Sequence, residues 1–137
     1  MKLIITEGQK KLILESIHPS EAYTDINAVK TLCQGKRGVC FVAGLSEHER
    51  EVIGQMMLTC NLDIIKVPSN PHEAYILYRA GYEENAHRLL HIAEKYGGYL
   101  DANAADKDTR EIGRLLEYDD NSVEEFIKKM HKLKGIN

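Results

Sequence analysis

The chain has 137 residues, 43% of them hydrophobic and 28% charged, with a formal net charge of -3. That length and apolar share suit one domain able to bury a core without disulfides or a metal. The near-cancelling charges exclude a strongly basic nucleic-acid binder and a disordered acidic chain.

At the amino terminus only Leu3, Ile4 and Ile5 are aliphatic in succession before Glu7 and Gln9. The run is too short for a signal peptide or a membrane span, so the expectation is a cytoplasmic protein with no membrane contact. Thr6-Glu7-Gly8-Gln9 has the form of a capping box and predicts a helix with Leu12, Ile13 and Ile17 on its apolar side. Pro19 breaks it. Ala22, Ile26, Val29 and Cys33 then recur at helical steps up to Gly35, a natural stop.

Gly38 to Gly44 is a short apolar run bounded by glycine, the mark of a strand buried on both faces. Ser46-Glu47-His48-Glu49 is a second capping box, and Val52, Ile53, Met56, Met57 and Cys60 line one face of the helix it opens, which Asn61 can close. Residues 62–67 form a second strand. Residues 38–67 are thus expected to make a β-α-β unit of two neighbouring parallel strands with a right-handed crossover. The turn Pro68-Ser69-Asn70-Pro71 leads to a third strand, Ala74 to Tyr78. From Glu83 a helix buries Ala86, Leu89, Leu90, Ala93 and Tyr96 and ends at Gly97-Gly98; the polar stretch 101–108 links it to two last helices.

The whole reads as one α/β domain: a small sheet of at least three strands containing the β-α-β unit, flanked by helices, with a C-terminal helical hairpin. Residues 1–35 supply N-terminal helices, 38–80 the sheet core and 83–134 the C-terminal helices.

In the last segment Ile112, Gly113, Leu116, Tyr118, Val123 and Phe126 fall where a helix-turn-helix places its packing residues. The second helix, however, opens Asp119-Asp120-Asn121-Ser122-Val123-Glu124-Glu125, and such carboxylates repel phosphates. Nucleic-acid binding is therefore disfavoured. The same acids, with Lys128, Lys129, Lys132 and Lys134 at the other end, complement the helix dipole. Val123, Phe126, Ile127, Met130 and Leu133 packed on Ile112, Leu115 and Leu116 would make it a structural hairpin.

The string from Glu111 to Phe126, EIGRLLEYDDNSVEEF, resembles the GRLLGYP signature of a family of small archaeal and viral (phage-type) proteins, in which a strand and helix precede a similar helix pair. The likeness covers residues 74–127, about two fifths of the chain. Glu117 stands where that pattern has glycine and Asp119 where it has proline, and the paired cysteines often found beyond are absent. The opening ITEGQKKLI is similar to the start of many tailed-phage accessory proteins. These resemblances imply a viral accessory origin and carry no assigned chemistry.

His87 and His91 lie four apart on a helix, half of a zinc site, but no third ligand has a linked spacing; a solvated helix face, and no metal, is expected. Cys33, Cys40 and Cys60 are odd in number, apolar in setting and form no C-x-x-C, which suits reduced, inert thiols and no disulfide framework. No phosphate loop, nucleophile elbow or H-E-x-x-H is present, and neither a cofactor nor a catalytic residue is indicated.

Ligands of open sheets sit outside the carboxyl ends of the strands. That places Ser46, Ser69, Asn70, His72 and Arg79 as candidates for a small anionic, nucleotide-type ligand; Lys36 and Arg37 precede the first strand and are expected at the opposite edge of the sheet unless their loop curls back, and the position of Arg79 is equally open. An ordinary capping box at Ser46 and an ordinary proline turn are the alternative. A second functional reading is an adaptor or inhibitor whose acidic Glu117, Asp119, Asp120, Glu124 and Glu125 dock on a basic host or viral protein. Open sheet edges would also allow a homodimer.

Overall fold

Three short runs of β-forming residues and a series of amphipathic segments order the chain as α1 (Asp25–Cys33), β1 (Val39–Ala43), α2 (Glu47–Cys60), β2 (Asp63–Val67), β3 (Ala74–Tyr78), α3 (Glu83–Lys95), α4 (Asp106–Leu115) and α5 (Asp120–Leu133). The computed structural model describes residues 25–69, 73–98, 100, 104–133 and 135. The helix expected over residues 6–17 lies outside them.

Local chemistry sets the element ends. Ser46 caps α2 in the expected box, Glu49 N donating to its hydroxyl at 3.1 Å and Ser46 N donating to Glu49 Oε1 at 2.9 Å. Asn61 closes the same helix in the left-handed region, at φ 54°. The tail expected to link α3 to α4 is shorter than composition suggested, because Asp106 already opens α4 and Asp108 is buried within it.

The sheet corrects the expected neighbour relation. Its order is β1-β3-β2, with β3 antiparallel to both flanking strands. β1 and β2 do run the same way, as a β-α-β unit requires, but β3 is inserted between them, which makes the unit a split one. Burial explains the insertion. A central strand is covered on both faces, and in β3 Ala74, Ile76 and Leu77 are wholly buried. β2 exposes Asp63, Ile64 and Lys66 and tolerates an edge, where charged side chains also discourage stray pairing.

Helices cover both faces. On one, Val39, Phe41, Val67, Ala74 and Ile76 meet Ala86, Leu89, Ile92 and Ala93 of α3 and Leu115 and Leu116 at the end of α4. On the other, Cys40, Val42 and Leu77 meet Ala28, Val29 and Leu32 of α1 and Ile53 of α2. Each of the larger aliphatic side chains so buried contributes about 2 kcal/mol.

The C-terminal pair α4–α5 forms the expected hairpin. Val123, Phe126, Ile127 and Met130 are buried along one stripe of α5, whereas Leu133, expected in the core, is exposed. Arg110 grips Glu124 through two bonds of 2.8 and 3.0 Å, and His131 Nε2 lies 3.0 Å from Asp106 Oδ1. Asp108 accepts from Lys95 Nζ at 2.9 Å and from the Tyr96 hydroxyl, which ties α4 to the end of α3.

The expectation of three reduced thiols is also corrected: Cys33 and Cys60 form a disulfide, and Cys40 alone is free and buried. The two bonded residues end α1 and α2, which lie side by side on the same sheet face. Their meeting follows from topology that a 27-residue separation does not reveal. Among the described residues no helix is long and apolar enough to cross a membrane.

Candidate functional site

Antiparallel pairing of β3 with both neighbours puts Ala43, Ala74 and Val67 in one row. The carboxyl ends of β1 and β2 and the start of β3 therefore share a rim, together with the amino end of α2. Gly44 N donates to the Glu73 carbonyl at 3.1 Å and draws the β1–α2 turn against the start of β3.

Glu73 is the centre of this rim. Arg50, from the first turns of α2, reaches its Oε2 at 2.8 Å; the Tyr75 hydroxyl donates to the same oxygen at 2.6 Å; Lys66 of β2 lies 3.6 Å from Oε1. Lys66 and Tyr75 are register partners on adjacent strands, so they emerge on the same face. The Tyr75 bond, supported by the Arg50 and Lys66 charges, holds the Glu73 carboxyl below its ordinary value, and the same bond with burial raises the Tyr75 phenol. Two cations and a phenol from three elements thus converge on one internal carboxylate. Arg50 and Lys66 keep 55% and 67% of their side chains in solvent, so both can reach an external anion.

Ser69 lies on the loop after β2, at the same end of the sheet. Gly98, at φ +89°, passes so close beneath that loop that a Cβ there would lie 2.1 Å from the Pro68 carbonyl oxygen and 2.8 Å from Ser69 Cβ. Only glycine permits that approach, which seats the loop on the end of α3. Asn70 and His72 fall outside the described residues.

The other candidates divide. Ser46 is on the rim, but its hydroxyl and backbone N–H are both engaged by Glu49. Arg79 follows β3 and lies at the opposite end of the sheet, where its Nε donates to the Arg37 carbonyl at 2.7 Å and its guanidinium stacks 5.0 Å from the Tyr82 ring centre. Arg37 is there too, 5.0 Å over Tyr118, whose phenol burial pushes up to about 12. The structure therefore brings Ser46 and Ser69 to one rim and separates Arg79 from them. Arg50, Lys66, Glu73 and Tyr75 were not legible as a group, because only the strand register unites them.

The acidic set is largely occupied internally. Glu117 accepts from Gly38 N at 2.6 Å, Asp119 caps α5 by accepting from Ser122 N at 3.0 Å, and Glu124 is held by Arg110. Asp120 and Glu125 stay exposed. His87 and His91 are both exposed on α3, and among the described residues no group of three or more His, Cys, Asp or Glu is placed to hold a metal ion.

No family model, curated protein or solved structure matches the chain.

Proposed function

We propose that this chain is a binding protein that holds a small anionic ligand of the nucleotide type at the rim formed by the carboxyl ends of β1 and β2. One observation carries this reading: Arg50, Lys66 and the Tyr75 hydroxyl converge on Glu73. An arrangement that grips an internal carboxylate is chemically a receptor for a carboxylate or phosphate, since guanidinium, ammonium and phenol all donate to oxyanions. The ligand's anionic group would share or replace Glu73. An accessory protein of viral origin is the setting that the sequence resemblances suggest.

The acidic hairpin supports an adaptor less well, because Glu117, Asp119 and Glu124 already serve intramolecular bonds. Thermal melting with nucleoside mono-, di- and triphosphates and inorganic phosphate tests the binding reading. A ligand at a hundred times its dissociation constant stabilises the native state by about 2.7 kcal/mol, a shift of several degrees. The expected result is such a shift in the wild type and none in the Arg50→Ala/Lys66→Ala variant. No shift with any of these anions, or an equal shift in the variant, rejects the proposal.

A further inference from the structure

Cys33 and Cys60 owe their meeting to the shared direction of β1 and β2 and to the packing of α1 and α2 on one face of the sheet. α1 feeds β1 and α2 feeds β2; both strands run the same way on either side of β3, and their first residues, Val39 and Asp63, both face Tyr78. The carboxyl ends of the two helices therefore reach the same end of the sheet on the same face. The bonded residues have a Cα–Cα separation of 5.3 Å, within the range a disulfide spans without backbone movement. Both remain half-buried and open to small reagents.

We infer that Cys33 and Cys60 are a reversible dithiol–disulfide couple whose oxidised state staples α1 to α2 across the face of the sheet. With a low-molecular-weight disulfide such as oxidised glutathione as the oxidant, one cysteine thiolate attacks a glutathione sulfur and expels one glutathione thiolate. The second cysteine thiolate then attacks the protein-bound sulfur of the mixed disulfide and expels the other glutathione thiolate. Two protons leave the protein thiols, the pair is oxidised by two electrons, and oxidised glutathione is reduced to two thiols.

The position of the pair sets its behaviour. Both sulfurs lie at helix carboxyl ends, where the dipole disfavours thiolate, so the reduced form gains no special stability and exchange is slow. Once formed, the bond persists until a dithiol reductant opens it. The third cysteine cannot compete: Cys40 is buried in β1, and burial pushes its thiol up to about 12.

Peptide mapping under non-reducing conditions and thermal melting of the full chain test this. After incubation with oxidised glutathione, the map is expected to return Cys33 and Cys60 joined, with Cys40 alkylated only after unfolding. The oxidised protein should melt roughly 5–15 °C above the same protein treated with dithiothreitol, and re-oxidation should restore the difference. The Cys33→Ser/Cys60→Ser variant should show no response to either reagent; if it does not fold, the wild-type map and melting pair decide alone. Free Cys33 and Cys60 after oxidation, a bond to Cys40, or a melting temperature indifferent to reduction overturns the inference.

Discussion

Gly113 of α4 lies directly against Val123 of α5: a Cβ on Gly113 would come within 2.5 Å of Val123 Cγ2. The absence of a side chain at this position sets how closely the hairpin helices approach. Gly113→Ala gains helix propensity but forces Val123 aside, so a net loss of about 1–2 kcal/mol is expected. Adding Val123→Ala makes room, and the double variant should lose less than the sum of the two single losses in urea unfolding. Additive losses would show that the two residues do not limit the approach.

Glu117 occupies the left-handed region at φ 61°, and it is here that the resembled sequence pattern carries glycine. A side chain in that conformation costs about 1 kcal/mol, which the bond from Gly38 N to its carboxylate offsets. Glu117→Gly sheds both the bond and the strain, whereas Glu117→Ala sheds the bond and keeps the strain. The expected order of denaturation midpoints is wild type at or above Glu117→Gly, with Glu117→Ala lowest by about 1 kcal/mol.

Asp108 gives the α3–α4 joint a pH dependence. The Tyr96 hydroxyl and Lys95 ammonium bonded to it hold its carboxyl below the ordinary carboxylate range, against the opposing effect of burial. Its folded value is depressed, so the unfolded chain takes up the proton first. The stabilisation is complete above the ordinary carboxyl value and is lost as pH falls through the folded one. Urea midpoints from about pH 6 to about pH 3 should fall less steeply in Asp108→Asn than in the wild type. Parallel curves would show that Asp108 does not carry this dependence.

Ser46 separates folding from binding at the rim. Its hydroxyl is committed to Glu49 N, so Ser46→Ala should cost about 1 kcal/mol of stability and Ser46→Asp little. Anion affinity, where it rests on Arg50 and Lys66, should be unchanged in both variants. A loss of affinity in a folded Ser46→Ala protein would place the ligand on the helix end instead.

Features with short-range chemistry were legible in the sequence. The box at Ser46 and Glu49, the left-handed stop at Asn61 and the three apolar strand runs each act within a few residues and appear where they were expected. What failed was long-range. A shared direction for β1 and β2 does not decide whether they touch; the clue lay in Asp63 and Lys66, charges that a two-faced central strand does not accommodate and that β3 lacks. The grouping of Arg50, Lys66 and Tyr75 around Glu73 depends on that same strand order, and the Cys33–Cys60 bond on α1 and α2 packing on one face of the sheet, which no local pattern shows.

The proposed binding role requires Arg50, Lys66 and Tyr75 to act as an oxyanion receptor that Glu73 occupies from within. Removing that internal charge should free the receptor. The most direct measurement is calorimetric titration of the nucleotide that most raises the wild-type melting temperature into wild-type, Glu73→Gln and Arg50→Ala proteins at one low salt concentration. Glu73→Gln should raise affinity about fivefold, the effect of one unit charge a few ångströms away in water, and Arg50→Ala should abolish binding. Equal affinity in all three proteins, or no heat of binding in any, would contradict the binding role.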